Sequence, residues 1–314
     1  MPEKVIVVAG PTAAGKTELA IELAEEFRGE IVSADSMQIY KGMDIGTAKA
    51  DAEERARVPH HMLDAASPEE NYSVARYVEE AARCCEDILS RGRIPVITGG
   101  TGLYIDSLIS GRDFAEAGGE KELRDELSKQ YERLGGEKML RILAEFDPER
   151  AAKLNSGDRR RIIRAIEIYR LTGETITEHD ARTKALPPRY DAAYIVLSFE
   201  KREKLYSRID ERVDKMIEKG LFGEVQGLLD MGISPESTAM QAIGYKEAVW
   251  ALQGKLTKSE AAALIKQASR RYAKRQLTWF RRREDALWIY RGEEPDFEAA
   301  RQLSREFLHS RGIS

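Results

Sequence analysis

The apolar run KVIVVA at residues 4–9 passes without a break into GPTAAGKT at 10–17. A buried strand that ends in a glycine-rich turn and reopens as a helix is the frame of a phosphate-binding loop. Its glycines let successive backbone N–H groups turn inward, and the following helix adds the positive end of its dipole. Gly10, Pro11, Thr12, Ala13, Ala14, Gly15, Lys16 and Thr17 are therefore expected to hold a polyphosphate group. Lys16 would neutralise its charge, and Thr17 is placed to hold Mg²⁺ through its hydroxyl. Most chains with such a loop hold ATP or GTP in it, but the motif does not specify which polyphosphate is bound.

Strands and helices alternate around this loop. Leu19, Leu23 and Phe27 repeat at helical spacing and predict a helix from Lys16 to Phe27. EIVSAD at 30–35 and IPVIT at 94–98 read as further strands, and Ser67, Pro68 and Glu70 in SPEE predict a capped helix start. Alternation of this kind implies parallel pairing and an α/β core. From about Arg112 the strand signal disappears, and residues 120–182 read as helices rich in Arg, Glu and Leu. Strand character returns at AAYIVLS, 192–198, and again at ALWIY, 286–290. Between them a long helix is expected from about Lys258 to Arg282, with a capping box of Thr257 and Glu260 and an apolar face of Ala261, Ile265, Ala268 and Tyr272.

The chain has 314 residues, 42% of them hydrophobic and 33% charged, enough for a sizeable core in one large or two modest domains. No apolar run approaches the roughly 18 residues of a membrane helix. The opening MPEKVIVVAG has too short an apolar stretch for a secretory leader, so a cytoplasmic protein free of the membrane is expected. Cys84 and Cys85, adjacent in a helical pattern, read as packing residues rather than as a disulfide or metal framework. The charge is unevenly spread. Residues 150–190 hold ten Arg and Lys against five Asp and Glu, and residues 266–283 hold eight basic residues and no acid. The two stretches carry +13, leaving −17 for the rest of a chain whose net charge is −4. Basic surface segregated like this is the footprint of a polyanion such as nucleic acid, against the alternative of a salt-bridged, solvated face.

Carboxyl ends of neighbouring parallel strands line one crevice, so Asp35 at the end of SAD should open beside the loop. It could hold a metal, act as general base or cap the next segment. Gln38 could pair with a base edge or be a surface residue. The turn TGGTGLY after the third strand brings Gly99, Gly100, Thr101 and Gly102 to the same place. A metal reading of His60 and His61 is weak, because adjacent histidines rarely point to one ion. Arg160 and Arg164 share one helix face, as do Arg270 with Lys274 and Arg271 with Arg275. Such faces bind phosphate backbone. The interleaved Tyr272, Trp279 and Phe280 are more often core than stacking platforms.

Taken together, GPTAAGKT, SADSMQIY, MDIGTAK, GGTGLY, DRRRIIRAIE, RIDERVDKMIEKGL, QAIGYKE and KRQLTWFR resemble the bacterial tRNA dimethylallyltransferases, also called tRNA isopentenyltransferases. The motifs run in family order from Gly10 to Arg281, without the zinc-finger extension of the eukaryotic relatives. The resemblance implies a P-loop NTPase-like α/β parallel-sheet core over residues 1–112 and 191–314, with a helical tRNA-binding insertion at 113–190. It implies transfer of a dimethylallyl group from dimethylallyl diphosphate to N6 of adenosine 37 in tRNAs reading codons that begin with U, with Mg²⁺ as cofactor. The loop would then hold the diphosphate of an isoprenoid. By the same resemblance Asp35 accepts the amine proton, Thr101 stands between amine and diphosphate, and Arg208 binds the diphosphate. Contacts to the tRNA anticodon stem-loop fall on Ser36, Met37 and Gln38, on Arg159, Arg160 and Arg161, on Gln241, Gly244, Tyr245 and Lys246, and on Lys274, Arg275 and Gln276. A monomer is expected. The main rival is a P-loop small-molecule kinase, which would use the same loop and Asp35 but leave both basic stretches without a job. A third class is an RNA-binding protein whose loop is a nucleotide switch.

Overall fold

The computed structural model describes residues 2–111, 121–292 and 297–314, with Lys121 described by its backbone alone. The part of the expected insertion at 113–120 lies outside the described residues. The chain divides into two compact units, Met1–Gly111 with Arg189–Ser314, and Arg112–Pro188.

The first unit is built on a parallel sheet of β1 (Glu3–Ala9), β2 (Gly29–Ser33), β3 (His60–His61), β4 (Ile94–Gly99), β5 (Tyr190–Phe199) and β6 (Leu287–Arg291). Their spatial order is β3-β2-β4-β1-β5-β6. The expected crevice is present with one difference. β4 lies between β1 and β2, so the GGTG turn separates the phosphate loop from Asp35. Strands covered on both faces read as unbroken apolar runs, and Val5, Ile6, Val7, Val8 and Ala9 are all fully buried.

Helices α1 (Lys16–Glu26), α2 (Ala52–Arg57), α3 (Val74–Ser90) and α4 (Gly102–Ser110) follow the first strands. Next along the chain, the second unit contains α5 (Lys121–Leu134), α6 (Gly136–Ala144), α7 (Pro148–Ala152), α8 (Arg159–Thr172) and α9 (Ile176–Lys184). The chain then returns to the first unit with α10 (Arg202–Glu218), α11 (Leu221–Asp230), α12 (Tyr245–Leu252), α13 (Lys258–Phe280) and α14 (Phe297–Ser310). Leu19 and Leu23 of α1 pack on Ile6 and Val8 of β1 and on Ile195 and Leu197 of β5. Each such buried side chain contributes about 1.5–3 kcal/mol, which anchors α1 under the loop that precedes it.

The expected helix start at Ser67 is a correction. Glu70 Oε1 accepts from the Ser67 N–H at 2.8 Å, the bond of a capping box, but the segment is a turn. The helix begins at Val74, where the Ser73 hydroxyl accepts from the Arg76 N–H. For α13 the Thr257–Glu260 capping box is present as read.

In the second unit Leu127, Met139, Leu143, Ile162, Ile163 and Ile166 form a core. Glu167 of α8 is 0% exposed within it, held by Arg124 at 2.8 Å and Arg164 at 2.9 Å. Arg164 is therefore the counter-ion of a buried carboxylate, which corrects its reading as half of a phosphate-binding face.

Candidate active site

The phosphate loop leaves β1 at Gly10, whose φ is +146°, and a Cβ there would meet the Leu197 carbonyl oxygen of β5 at 2.2 Å. Ala13 at φ +64° and Gly15 at φ +91° both take the left-handed region, so the loop folds back above the first turn of α1. Lys16 Nζ donates to the Pro11 carbonyl at 2.8 Å. Burial, then the Arg212 guanidinium, hold its ammonium down to about 7, while Asp35 pulls the other way. These three charged groups thus act on one another across a single site.

Gln276 of α13 joins the loop to the GGTG turn. Its Oε1 accepts from the Thr12 N–H and its Nε2 donates to the Gly100 carbonyl, both at 2.9 Å. A Cβ on Gly100 would meet that Nε2 at 2.2 Å, which accounts for glycine there. Gln276 is 5% exposed, so its amide, expected among the RNA contacts, is committed inside the protein. Thr101 Oγ1 accepts from the Ser36 N–H at 3.1 Å and so ties the turn to the segment after Asp35. Tyr272 of α13 faces the same site: burial, then Asp35, push its hydroxyl up to about 12, with Thr101 acting the other way.

Asp35 Oδ1 accepts from the Met37 N–H at 2.9 Å and more weakly from Gln38 at 3.4 Å, which is the capping role read in the sequence. Its second oxygen remains for chemistry. Gln38 is committed locally. Its Oε1 accepts from Ser33 at 3.0 Å and its Nε2 donates to the Thr47 and Ala48 carbonyls.

Two cavities meet at this place. The larger, about 750 Å³, is lined by Ala13, Gly15 and Thr17 of the loop and by Arg208, Arg212 and Lys215 of α10. The smaller, about 270 Å³, is lined by Thr12, Asp35, Ser36, Met37, Arg212 and Tyr272 among others. Arg212 lines both. Its Nη2 donates to the Thr47 carbonyl at 3.1 Å, and burial lowers its pKa against the pull of Asp35. Arg208, one turn earlier, is more exposed and approaches Glu211 at 3.4 Å. The sequence reading missed Arg212, although the spacing in RIDER places it four residues after Arg208 on one helix face.

The loop that forms the cavities' common wall is clamped from α11. Glu224 accepts from the backbone N–H groups of Asp44 at 2.8 Å, Ile45 at 2.7 Å and Gly46 at 3.1 Å. Tyr245 donates its hydroxyl to the same carboxylate at 2.5 Å. Tyr245 is fully buried and Gly244 buried beside it, so the tyrosine ring, expected among the RNA contacts, supports this loop.

Exposed cations lie at the outer residues. Lys274 and Arg275 are exposed on α13, with Arg275 over the Tyr272 ring at 5.4 Å. Arg270 instead pairs with Asp210 at 2.5 Å and fastens α13 to α10, so it drops out of that face. Gln241 is exposed with its Nε2 on the Pro235 carbonyl at 2.8 Å, and Lys246 stands over Trp250 at 4.7 Å. In the second unit Arg160 and Arg161 are exposed on α8, whereas Arg159 pairs with Glu132 at 2.8 Å. His60 and His61 are an edge strand: His61 bonds to Glu30 at 2.7 Å. Arg91, against burial, holds the Glu30 carboxyl down to about 2.

Among the described residues no helix is long and apolar enough to cross a membrane. The sequence profile of the family described as IPP transferase matches residues 38–283, and that described as isopentenyl transferase matches residues 3–69. A tRNA dimethylallyltransferase of Carboxydothermus hydrogenoformans is 50% identical over 294 residues, 94% of either chain. The crystal structure of a tRNA isopentenylpyrophosphate transferase from Bacillus halodurans is 38% identical, with a TM-score of 0.73 over 99% of this chain and 98% of that one. A eukaryotic dimethylallyltransferase acting on tRNA superposes with a TM-score of 0.84 at 32% identity, over 99% of this chain and 81% of that one. With a matching profile over most of its length, a relative at half identity and the same P-loop NTPase-like sheet, this chain belongs to the IPP transferase family.

Proposed function

We propose that this protein transfers a dimethylallyl group from dimethylallyl diphosphate to N6 of adenosine 37 in tRNAs that read codons beginning with U. The observation that carries the reading is Arg212, which stands where the cavity of the phosphate loop meets the cavity of Asp35. A diphosphate on one side and a nucleobase on the other would meet beside it. The diphosphate sits against the backbone N–H groups where the loop enters α1, at residues 15–17, with Lys16, Arg208 and Arg212 around it. The allylic C–O bond breaks, its electron pair leaves on the diphosphate, and these cations stabilise the charge that develops. N6 of the adenine forms the new bond to carbon. That amine is barely basic, so its proton must leave as the bond forms, and the second carboxylate oxygen of Asp35 takes it. Thr101 positions the Asp35 segment through its bond to Ser36.

The Thr17 hydroxyl, on the wall of the larger cavity, is a hard oxygen of the kind Mg²⁺ takes when phosphate oxygens complete its shell. Thr17 therefore fits the metal. Bound there, Mg²⁺ would add to the neutralisation of the leaving diphosphate.

The adenosine must leave its stack to enter the smaller cavity. Phosphates of the anticodon stem-loop would be met by Lys274 and Arg275 of the first unit and by Arg160 and Arg161 of the second. The reaction belongs in the cytoplasm, with its tRNA substrate. The test is an incubation of labelled dimethylallyl diphosphate, Mg²⁺ and an anticodon stem-loop with adenosine at positions 36 and 37. Label on adenosine 37 is expected. Intact diphosphate, with tight ATP binding in its place, would refute the reading.

A further inference from the structure

Arg291 ends β6 directly behind the phosphate loop and is only 4% exposed. Its Nη1 donates to the Ala14 carbonyl at 2.9 Å. Among the described residues its Nε and Nη2 have no hydrogen-bond partner. The guanidinium lies between two aromatic rings, 4.0 Å from the centre of Phe297 and 5.3 Å from that of Phe199. An isolated buried charge is costly, and the usual compensation is an anion.

The geometry of the Ala14–Gly15 peptide shows where that anion would be felt. In a trans peptide the C=O and N–H point in opposite directions, and the described chain contains no cis peptide bond. With its carbonyl held by Arg291, this peptide aims the Gly15 N–H away from Arg291, and Gly15 lines the larger cavity. A donor on the carbonyl also polarises the peptide and strengthens the N–H at its other end. Gly15 fits the same arrangement, because a Cβ there would lie 2.6 Å from Arg291 Nη1 and 2.9 Å from the Phe297 ring.

We propose that Arg291 is a positioning residue for the diphosphate. It holds the Ala14–Gly15 peptide so that the Gly15 N–H faces the bound anion, and it keeps behind the loop a buried positive charge that the diphosphate offsets. This rests on reading the loop as a diphosphate cradle.

Titration of the full chain with inorganic diphosphate, followed by calorimetry, tests it in three proteins: the wild type, Arg291→Met and Arg291→Lys. Arg291→Met should bind about ten- to a hundredfold more weakly, the range for losing a charge-assisted hydrogen bond. Its KM for dimethylallyl diphosphate should rise by a similar factor while its KM for the stem-loop holds. Its melting temperature without ligand should stay level or rise, since an apolar chain replaces an unpaired charge between two phenylalanines. Arg291→Lys, which keeps the charge, should fall between the other two. Wild-type affinity in Arg291→Met would overturn the proposal, as would a lower melting temperature with equal rises in both KM values. Should Arg291→Met not fold, Arg291→Lys decides: severalfold weaker binding supports the proposal and wild-type affinity overturns it. A wild type that binds ATP but neither diphosphate fails the reading of the loop instead.

Discussion

Titrating dimethylallyl diphosphate into the protein at pH 7, 8 and 9, without RNA, isolates Lys16. Its ammonium is held down to about 7 by burial and by Arg212, so at pH 7 about half of the free protein carries the proton and at pH 9 about one part in a hundred. A diphosphate pressed against Lys16 restores its ordinary value near 10.5 or above, and the bound lysine stays charged throughout. The last ionisation of a phosphate ester lies near 6, so the ligand hardly changes over this range. Affinity should therefore fall roughly fiftyfold from pH 7 to pH 9, with close to one proton taken up per ligand at pH 8. Calorimetry in two buffers of different ionisation enthalpy reads that proton directly. The sign for the free protein is the opposite. A lysine whose folded value lies below its unfolded one favours the folded state increasingly as pH rises from about 7 towards 10.5. Lys16→Arg, charged throughout, should bind with a flat pH profile. A flat profile in the wild type, or an undiminished slope in Lys16→Arg, would refute the reasoning.

Asp35→Asn keeps an oxygen to cap the Met37 N–H, so stem-loop binding should survive while transfer falls by about two to four orders of magnitude in single-turnover assays. Normal turnover would remove Asp35 as the base. Arg212→Met should lower kcat by about 10²–10³ and raise the Lys16 pKa, since Arg212 is one cause of its depression; the pH profile of donor binding should then break above 7. Lys274→Ala with Arg275→Ala should make the salt dependence of stem-loop binding shallower by about 1.4–1.8 in log–log slope. Arg270 is left intact in that test because it holds Asp210, and an unchanged slope would show the two cations to be merely solvated.

Local signals in the sequence were enough for the elements whose determinants are local. β1, the loop and α1 follow from an apolar run, glycines and a helical repeat, and α13 announces itself with a capping box. SPEE carries the same hydrogen-bond signature, but the helix is capped by Ser73 and begins only at Val74, so the local rule places the start six residues too early. β3 has two residues and no pattern to read; only its pairing with β2 defines it. Chemistry at the site divides the same way. Lys16, Thr17 and Asp35 are marked by motif, whereas the orientations of Arg270, Gln276 and Tyr245 depend on Asp210, Gly100 and Glu224, which are distant in sequence. Helical spacing made Arg270 look like an RNA contact, and the family resemblance implied the same for Gln276 and Tyr245. Arg291 carried no signal, because its partner is a loop carbonyl 277 residues away.

The position of β1 in the sheet also matters during synthesis. Val5 pairs with Ala192 on one side and Ile6 with Val96 on the other. A ribosome must therefore complete the whole Arg112–Pro188 unit before β1 can gain its second neighbour. Until then β1, whose last five residues are buried in the finished sheet, presents a bare edge, the kind of surface that recruits chaperones or pairs wrongly with another chain. Pauses in translation between β4 and β5 would lengthen that exposure, so the yield of folded protein should depend on how fast the intervening helices are made.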